Sequence, residues 1–480
     1  MSEDINIKKD TLKGVKWTAI EKIALQGIQF VIGLILARLL TPSDFGLVGM
    51  LAIFISVSQT FVDGGFSNAL IRKIDRTDTD CSTAFYFNIV IGFVCYGLLF
   101  VASPWVAAFF NTSILSDLLR VLSISIFVNS LAVVQVAKLT VDINFKAQAR
   151  ATVCSVILSG CIGIGMAYNG YGVWSLVWQT VFGAIFKCIM LWCQTKWKPM
   201  AVFSMDSFRN LFSYGSKILI SNLLGTIYAN MTTIAIGKFY TSKDLGYYSR
   251  GQQFAYLPST AITDTIGRVT FPILAKMQND DKRLVEVYRK YIKVTSIPIL
   301  FLLTLLAAIA KPLILLLLTE KWMDAAIYLQ IFCFAFMTDH ISKLNLNLLQ
   351  VKGRSDLYLR LEIVKKVIAF IILLCSIPLG VLVICLSKVV YSQVALVVNT
   401  YYTGKLFGLG YTEQFSDFIK YILASLIACA PAYGMTFVGI HPIWQLSIGC
   451  IIACSLYYVL LRKDDVMVET ISMVKNKFKK

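Results

Sequence analysis

From Ile297 to Ala310 the chain reads Ile-Pro-Ile-Leu-Phe-Leu-Leu-Thr-Leu-Leu-Ala-Ala-Ile-Ala, without a single charge. Comparable runs extend from Ile89 to Val101 and from Val367 to Leu386. A helix that crosses a bilayer needs about 20 predominantly apolar residues, so these runs with their flanks predict repeated crossings. The whole chain agrees: 57% of its 480 residues are hydrophobic and 15% charged, against roughly 45–50% and about 25% in soluble domains. No soluble core needs so much apolar surface. The expected fold class is an all-α integral membrane protein.

Apolar runs separated by polar loops predict about fourteen spanning helices, centred from Phe30 and Phe54 at the start to Leu426 and Cys450 at the end. With the N-terminus inside, the even connections carry Arg72, Lys73 and Arg76, then Lys138, Lys146 and Arg150, and later Lys352, Arg354 and Arg360. The odd connections carry few bases, Lys238, Lys243 and Lys321 being exceptions. Basic loops stay on the cytoplasmic side, which places both termini there. The basic start (Lys8, Lys9, Lys13, Lys16) resembles a signal peptide, but the apolar run behind it contains Glu21 and Lys22 and lacks a small-residue cleavage site. It reads as a retained first helix.

The chain also repeats itself at an offset of about 200 residues. Ala37-Arg38-Leu39-Leu40-Thr41-Pro42-Ser43-Asp44-Phe45-Gly46 aligns with Gly237-Lys238-Phe239-Tyr240-Thr241-Ser242-Lys243-Asp244-Leu245-Gly246. Base, threonine, aspartate and glycine coincide. The repeated unit is six helices long, and an even number of crossings gives parallel repeats related by an axis along the membrane normal. The expected organisation is a six-helix lobe over 1–195, a basic cytoplasmic linker over 196–210, a second six-helix lobe over 211–405, and two further helices with a basic tail over 406–480.

The net charge of +18 lies in short clusters between apolar runs, which fits cytoplasmic loops and argues against nucleic acid as a partner. Twelve cysteines are scattered without a CxxC pair and only two histidines accompany them. No metal site or cofactor is expected. Nor is there a motif for nucleotide binding or hydrolysis. A transporter, not an enzyme, is the expectation.

Ionisable residues inside the helices then become the informative ones, because each costs at least about 2.5–3.5 kcal/mol at the bilayer centre and usually faces a polar cavity. Lys388 lies near the middle of its helix and either lines a cavity or answers a buried carboxylate. Lys187 and Lys217 either point inward or snorkel to the interface. Of the adjacent Glu21 and Lys22, at least one points inward. Asp63 and Asp264 occupy near-equivalent places in the two repeats, and Asp264 precedes Arg268 by one helical turn, as a salt bridge or as a substrate contact. Asp339 and His340, with Lys343 a turn below, form the one site where an unperturbed side chain takes up a proton near neutral pH; coupling and plain packing both remain open. Embedded bases outnumber embedded acids, so the expected cavity is positive and suits a phosphate. Asp280 to Lys293, with Leu284, Val287, Tyr288 and Tyr291 on one side, reads either as an interfacial lead-in to the next crossing or as a solvated helix end.

Several segments resemble a known family. Lys13-Gly14-Val15-Lys16-Trp17, the run from Ala37 to Gly46, and Phe61-Val62-Asp63-Gly64-Gly65-Phe66-Ser67-Asn68-Ala69-Leu70-Ile71 are similar to the Wzx-like polysaccharide exporters of the MOP (MATE-like) superfamily. So are Tyr247-Tyr248-Ser249-Arg250, Leu257-Pro258, Arg268-Val269-Thr270-Phe271-Pro272 and Gly353-Arg354-Ser355-Asp356. The resemblance implies a two-lobed inverted V, alternating access, and flipping of undecaprenyl-pyrophosphate-linked oligosaccharide from the cytoplasmic to the outer leaflet of a bacterial inner membrane. It implies an ion gradient as the driving force, and the lipid-linked oligosaccharide, membrane lipids and the polymerase and chain-length proteins of the same pathway as partners. By the same resemblance Arg250 and Arg268 meet the pyrophosphate, and the helix reading adds Lys22, Lys187, Lys217 and Lys388. Asp63, Asp264, Asp339 and His340 are the coupling or gating candidates. Two other functions compete: a multidrug exporter of the same fold, which would favour an acidic cavity, and a membrane glycosyltransferase or polymerase, which would carry a large polar loop.

Overall fold

The computed structural model describes residues 25–469 and Ser472, apart from the side chains at 261, 264–266, 268 and 269. Among the described residues there is no strand. The first part of the chain forms α1 (Leu25–Leu39), α2 (Pro42–Asp63), α3 (Phe66–Arg72), α4 (Asp78–Phe109), α5 (Leu115–Leu122), α6 (Ile124–Ser130), α7 (Val133–Val141), α8 (Phe145–Tyr168), α9 (Trp174–Gln194) and α10 (Met205–Phe239). The rest forms α11 (Ser242–Ala275), α12 (Asp281–Ala308), α13 (Ala310–Leu317), α14 (Ala325–Phe336), α15 (Asp339–Val351), α16 (Ser355–Ser376), α17 (Val381–Phe407), α18 (Tyr411–Met435) and α19 (Pro442–Leu461).

Eleven spans among the described residues are long and apolar enough to cross a membrane, some of them built from two or three consecutive helices. The expected centres from Phe30 to Cys450 all lie in helices. On α4, Val90, Phe93, Leu98 and Trp105 point outward and exposed. In water such a surface would aggregate; in a bilayer, lipid covers it.

Local chemistry sets where the helices start. Thr41 accepts from Asp44 N at 3.3 Å while the Asp44 carboxylate accepts from Thr41 N at 2.8 Å, a reciprocal capping box at the head of α2. Thr77 and Asp80 repeat it on α4, where Asp80 also takes Lys73 at 2.7 Å. Thr241 and Asp244 form the same pair of bonds at the head of α11. Each box satisfies amides that a helix start leaves orphaned. Between α2 and α3 the backbone turns through Gly64 (φ +43°) and Gly65 (φ +70°), a region costly for any residue with a Cβ. Gly65 also lies so close to Gly215 that a Cβ would sit 2.4 Å from its carbonyl oxygen.

The contacts divide the chain into two compact units, the first ending at Gly246 and the second starting at Tyr247. In the first, α8 packs along α9 and α10 along α2. The segment expected as an interlobe linker is pinned down: Trp197 is buried against Phe85, Met200 N donates to Ser82, and Ser204 N donates to Thr83 before α10 begins.

In the second unit α18 packs on both α12 and α19. Asp417, nearly fully buried, accepts two bonds from Arg289 at 2.7 and 2.8 Å and lies 3.1 Å from Lys293. Tyr457 donates to the Ile297 carbonyl at 2.8 Å and stacks on Phe301. A buried network of Asn345, Thr403 and Gln414 ties α15, α17 and α18 together, and Tyr288 reaches it from α12. Helices α18 and α19 are thus woven into this unit by polar contacts that only fixed partners can satisfy. The stretch from Asp280 to Lys293 is continuous with the span that follows, most of its charged side chains exposed and its apolar side packed inward. Asp280 caps α12, and Leu284, Tyr288 and Ile292 are fully buried within its continuous length.

Candidate functional site

A cavity of about 990 Å³ opens within the first unit among α1, α2, α3, α6, α7, α8, α9 and α10. Helical periodicity gives each wall a polar strip, because residues three and four apart share a face. Ser56, Gln59, Thr60 and Asp63 form the strip of α2, Ser125 and Asn129 that of α6, and Asn222 and Thr226 that of α10. Thr180 and Lys187 lie two turns apart on α9, with Gly183 and Ala184 between them leaving room.

The strips are joined. Asn129 donates to Gln59 at 3.0 Å, and Gln59 donates to Asp63 Oδ1 at 3.0 Å. Thr60 meets Thr226 at 3.1 Å across the α2–α10 seam. Asp63 is the last residue of α2, and the left-handed break at Gly64 turns the chain away from it, leaving the carboxylate exposed to the cavity. Its Oδ2 has no hydrogen-bond partner among the described residues. Lys187 is half-buried and lies within electrostatic reach of Asp63. The described lining holds one acid, one base, a set of amides and hydroxyls, aliphatic side chains such as Ile55, Val133 and Val156, and no aromatic side chain. Among the described residues, Lys187 is the base in this wall of those named from the sequence, and Asp63 lies within its electrostatic reach.

The other candidates lie elsewhere. Lys22 falls outside the described residues, and the side chains of Asp264 and Arg268 fall outside the described side chains. Lys217 is exposed on α10 and does not line the cavity. Arg250, on α11, donates to Gln253 at 2.7 Å. Lys388 is half-buried on α17 but lies in its first third, beside the buried Cys385, rather than at its middle. His340 is buried, its Nε2 3.0 Å from Ser296 Oγ. Asp339 lies within electrostatic reach of Lys343 and Lys365. Lys365 is 7% exposed and paired with Glu362 one turn earlier, and the stem of Lys343 passes over Gly267. The second unit thus gathers two acids and two bases around the start of α15. Among the described residues no three metal-ligating side chains converge.

Residues 35–327 match the family described as polysaccharide biosynthesis proteins. The chain belongs to that family. Among its relatives, the teichuronic acid biosynthesis protein TuaB of Bacillus subtilis (strain 168) is 27% identical over 357 residues, which is 73% of either chain. The lipopolysaccharide biosynthesis protein WzxC of Escherichia coli (strain K12) is 23% identical over 370 residues, 75% of this chain and 74% of its own. The fold is that of the lipid II flippase MurJ in its inward closed conformation: the TM-score is 0.74 at 15% identity, over 92% of this chain and 98% of that one. The Wzx-like resemblance read from the motifs therefore holds for the family, and the fold is shared with MurJ.

Proposed function

We propose that this member of the polysaccharide biosynthesis family is a flippase. It moves an undecaprenyl-pyrophosphate-linked oligosaccharide repeat unit from the cytoplasmic to the outer leaflet of the bacterial cytoplasmic membrane, for O-antigen, capsule or exopolysaccharide. The observation that carries the reading is the large cavity whose walls carry strips of amides and hydroxyls, on helices long and apolar enough to cross a membrane. Glycan hydroxyls and phosphates are costly to pull through hydrocarbon unless polar groups replace their water. Amides and hydroxyls on the inside of spanning helices do that while the prenyl tail stays in lipid. The names of the relatives and of the MurJ structure support the same reading.

In this reading both termini are cytoplasmic, Arg250, Arg268 and Lys388 serve the pyrophosphate, and the polymerase and chain-length proteins act on the delivered unit. The test is deletion of the gene in its host, with lipid-linked saccharides resolved by length and by access to a membrane-impermeant probe. A complete repeat unit accumulates facing the cytoplasm and surface polysaccharide is lost. A normal outward-facing pool in the deletion strain would overturn the assignment.

A further inference from the structure

We infer that the cavity of the first unit is the subsite for the sugar rings of the substrate, and that it excludes the pyrophosphate. The inference rests on the flippase reading and adds to it which part of the substrate this wall holds.

Charge comes first. A pyrophosphate carries more than one negative charge, whereas among the described residues the lining offers one base, Lys187, within electrostatic reach of Asp63. A phosphate placed here would meet an unneutralised carboxylate in a partly dehydrated space, where like charges repel strongly. A sugar has no such conflict. Each of its hydroxyls donates and accepts, and so does each side-chain amide. Gln59 is fixed for that task, since Asn129 holds its oxygen and Asp63 Oδ1 holds its nitrogen. Asp63 Oδ2 is left as an acceptor on an exposed carboxylate. Two neighbouring ring hydroxyls can donate to one carboxylate, and Lys187 can donate to a third oxygen.

Size agrees. At about 990 Å³ the cavity stands at the upper end of the roughly 300–1,000 Å³ typical of ligand pockets, enough for more than one sugar ring. No aromatic platform lines it, so the hold depends on hydrogen bonds that water can replace. A carrier that must release its cargo requires such a weak grip, since a ligand bound equally tightly in both states shifts nothing.

The test uses the full-length protein purified in lipid nanodiscs, carrying Asn222→Cys at an exposed lining position. Maleimide modification at that position is followed by peptide mass spectrometry, which separates it from the native cysteines. Two probes compete at millimolar concentration: the lipid-free repeat-unit oligosaccharide cleaved from the host polysaccharide, and inorganic pyrophosphate. The oligosaccharide slows labelling severalfold, pyrophosphate does not, and Asp63→Asn or Gln59→Ala on the same background removes the protection. Thermal unfolding of these variants in the nanodisc distinguishes a lost contact from a lost fold. Protection by pyrophosphate instead, or by neither probe, would overturn the inference. Normal flipping in proteoliposomes without oligosaccharide protection sinks the subsite alone, whereas protection without flipping sinks the flippase reading and leaves the glycan site in place.

Discussion

Gly46 rests directly on the backbone of Ser242: a Cβ on Gly46 would fall 1.7 Å from the Ser242 carbonyl oxygen. The equivalent glycine does the same in return, because a Cβ on Gly246 would fall 1.9 Å from the carbonyl oxygen of Pro42. Beside them Ser43 Oγ lies 2.6 Å from Ser242 Oγ. Two helix starts thus cross at backbone distance on the side opposite the basic loops. Gly46→Ala is expected to prevent this approach and to abolish flipping in proteoliposomes, whereas Gly27→Ala, whose Cβ meets nothing within 4 Å, leaves flipping unchanged. Normal transport by Gly46→Ala at normal protein level would show that the crossing need not form.

The same contact is expected to trap. Replacing Ser43 and Ser242 together by cysteine puts two sulfurs near the roughly 2.05 Å of a disulfide with little movement. Oxidation then stops flipping and a reductant restores it. Full activity of the oxidised pair would mean that the helix starts stay together throughout the cycle.

Asp417 anchors α18. Its loss leaves Arg289 and Lys293 facing each other without their carboxylate. A fully buried pair broken this way costs about 3–5 kcal/mol, and with Arg289 40% exposed solvent screening brings the expectation to about 1–3 kcal/mol. Asp417→Ala should therefore lower the midpoint of thermal unfolding in detergent by several degrees, and Asp417→Asn by less. An unchanged midpoint would remove the anchor role.

Asp464 follows the last span and gives stability a pH dependence. Burial raises its carboxyl pKa, but hydrogen bonds from Lys420, the Met467 amide and Tyr421 outweigh this and hold it below the ordinary 3.8. The folded value is depressed, so the stabilisation is complete above the unfolded value and is lost as pH falls through the folded one. Wild type should unfold at a higher temperature than Asp464→Asn at pH 6, and the gap should close below about pH 4. A gap independent of pH would assign the effect to capping alone.

Asp339 is one of the coupling candidates, and the two lysines within its electrostatic reach make it testable. If a gradient drives transport through this carboxylate, Asp339→Asn removes the dependence of flipping rate on an imposed proton or sodium gradient while the protein stays folded. A lower unfolding midpoint with the gradient dependence intact would instead make the cluster structural.

The fold was largely legible because membrane helices announce themselves as apolar runs the length of a bilayer. Packing between distant segments was not legible. Gln414 and Asp417 sit in an ordinary amphipathic stretch, and it is their contacts with residues such as Asn345 and Arg289 that show them to be structural ties. At the candidate site, Asp63 and Lys187 stood out as charges in apolar surroundings. Gln59, Asn129 and Thr226 did not, because neutral amides and hydroxyls are cheap enough inside helices to pass as filler. Gln59 and Asp63 at i,i+4 on one face was the available signal; Asn129 lies 70 residues away in sequence. A count of bases could not show which way each side chain points: Lys187 lines the cavity and Lys217 does not.

The crossing of residues 42–46 with 242–246 has a property beyond closure. Each segment contributes the same glycine and the same capped turn, and each glycine sits on the residue that opens the other helix. Self-complementarity of this sort, with i touching j and j touching i, is the signature of an isologous contact between identical copies. Here both faces lie on one chain, so each can change without the other: Pro42 stands where the second segment has Ser242.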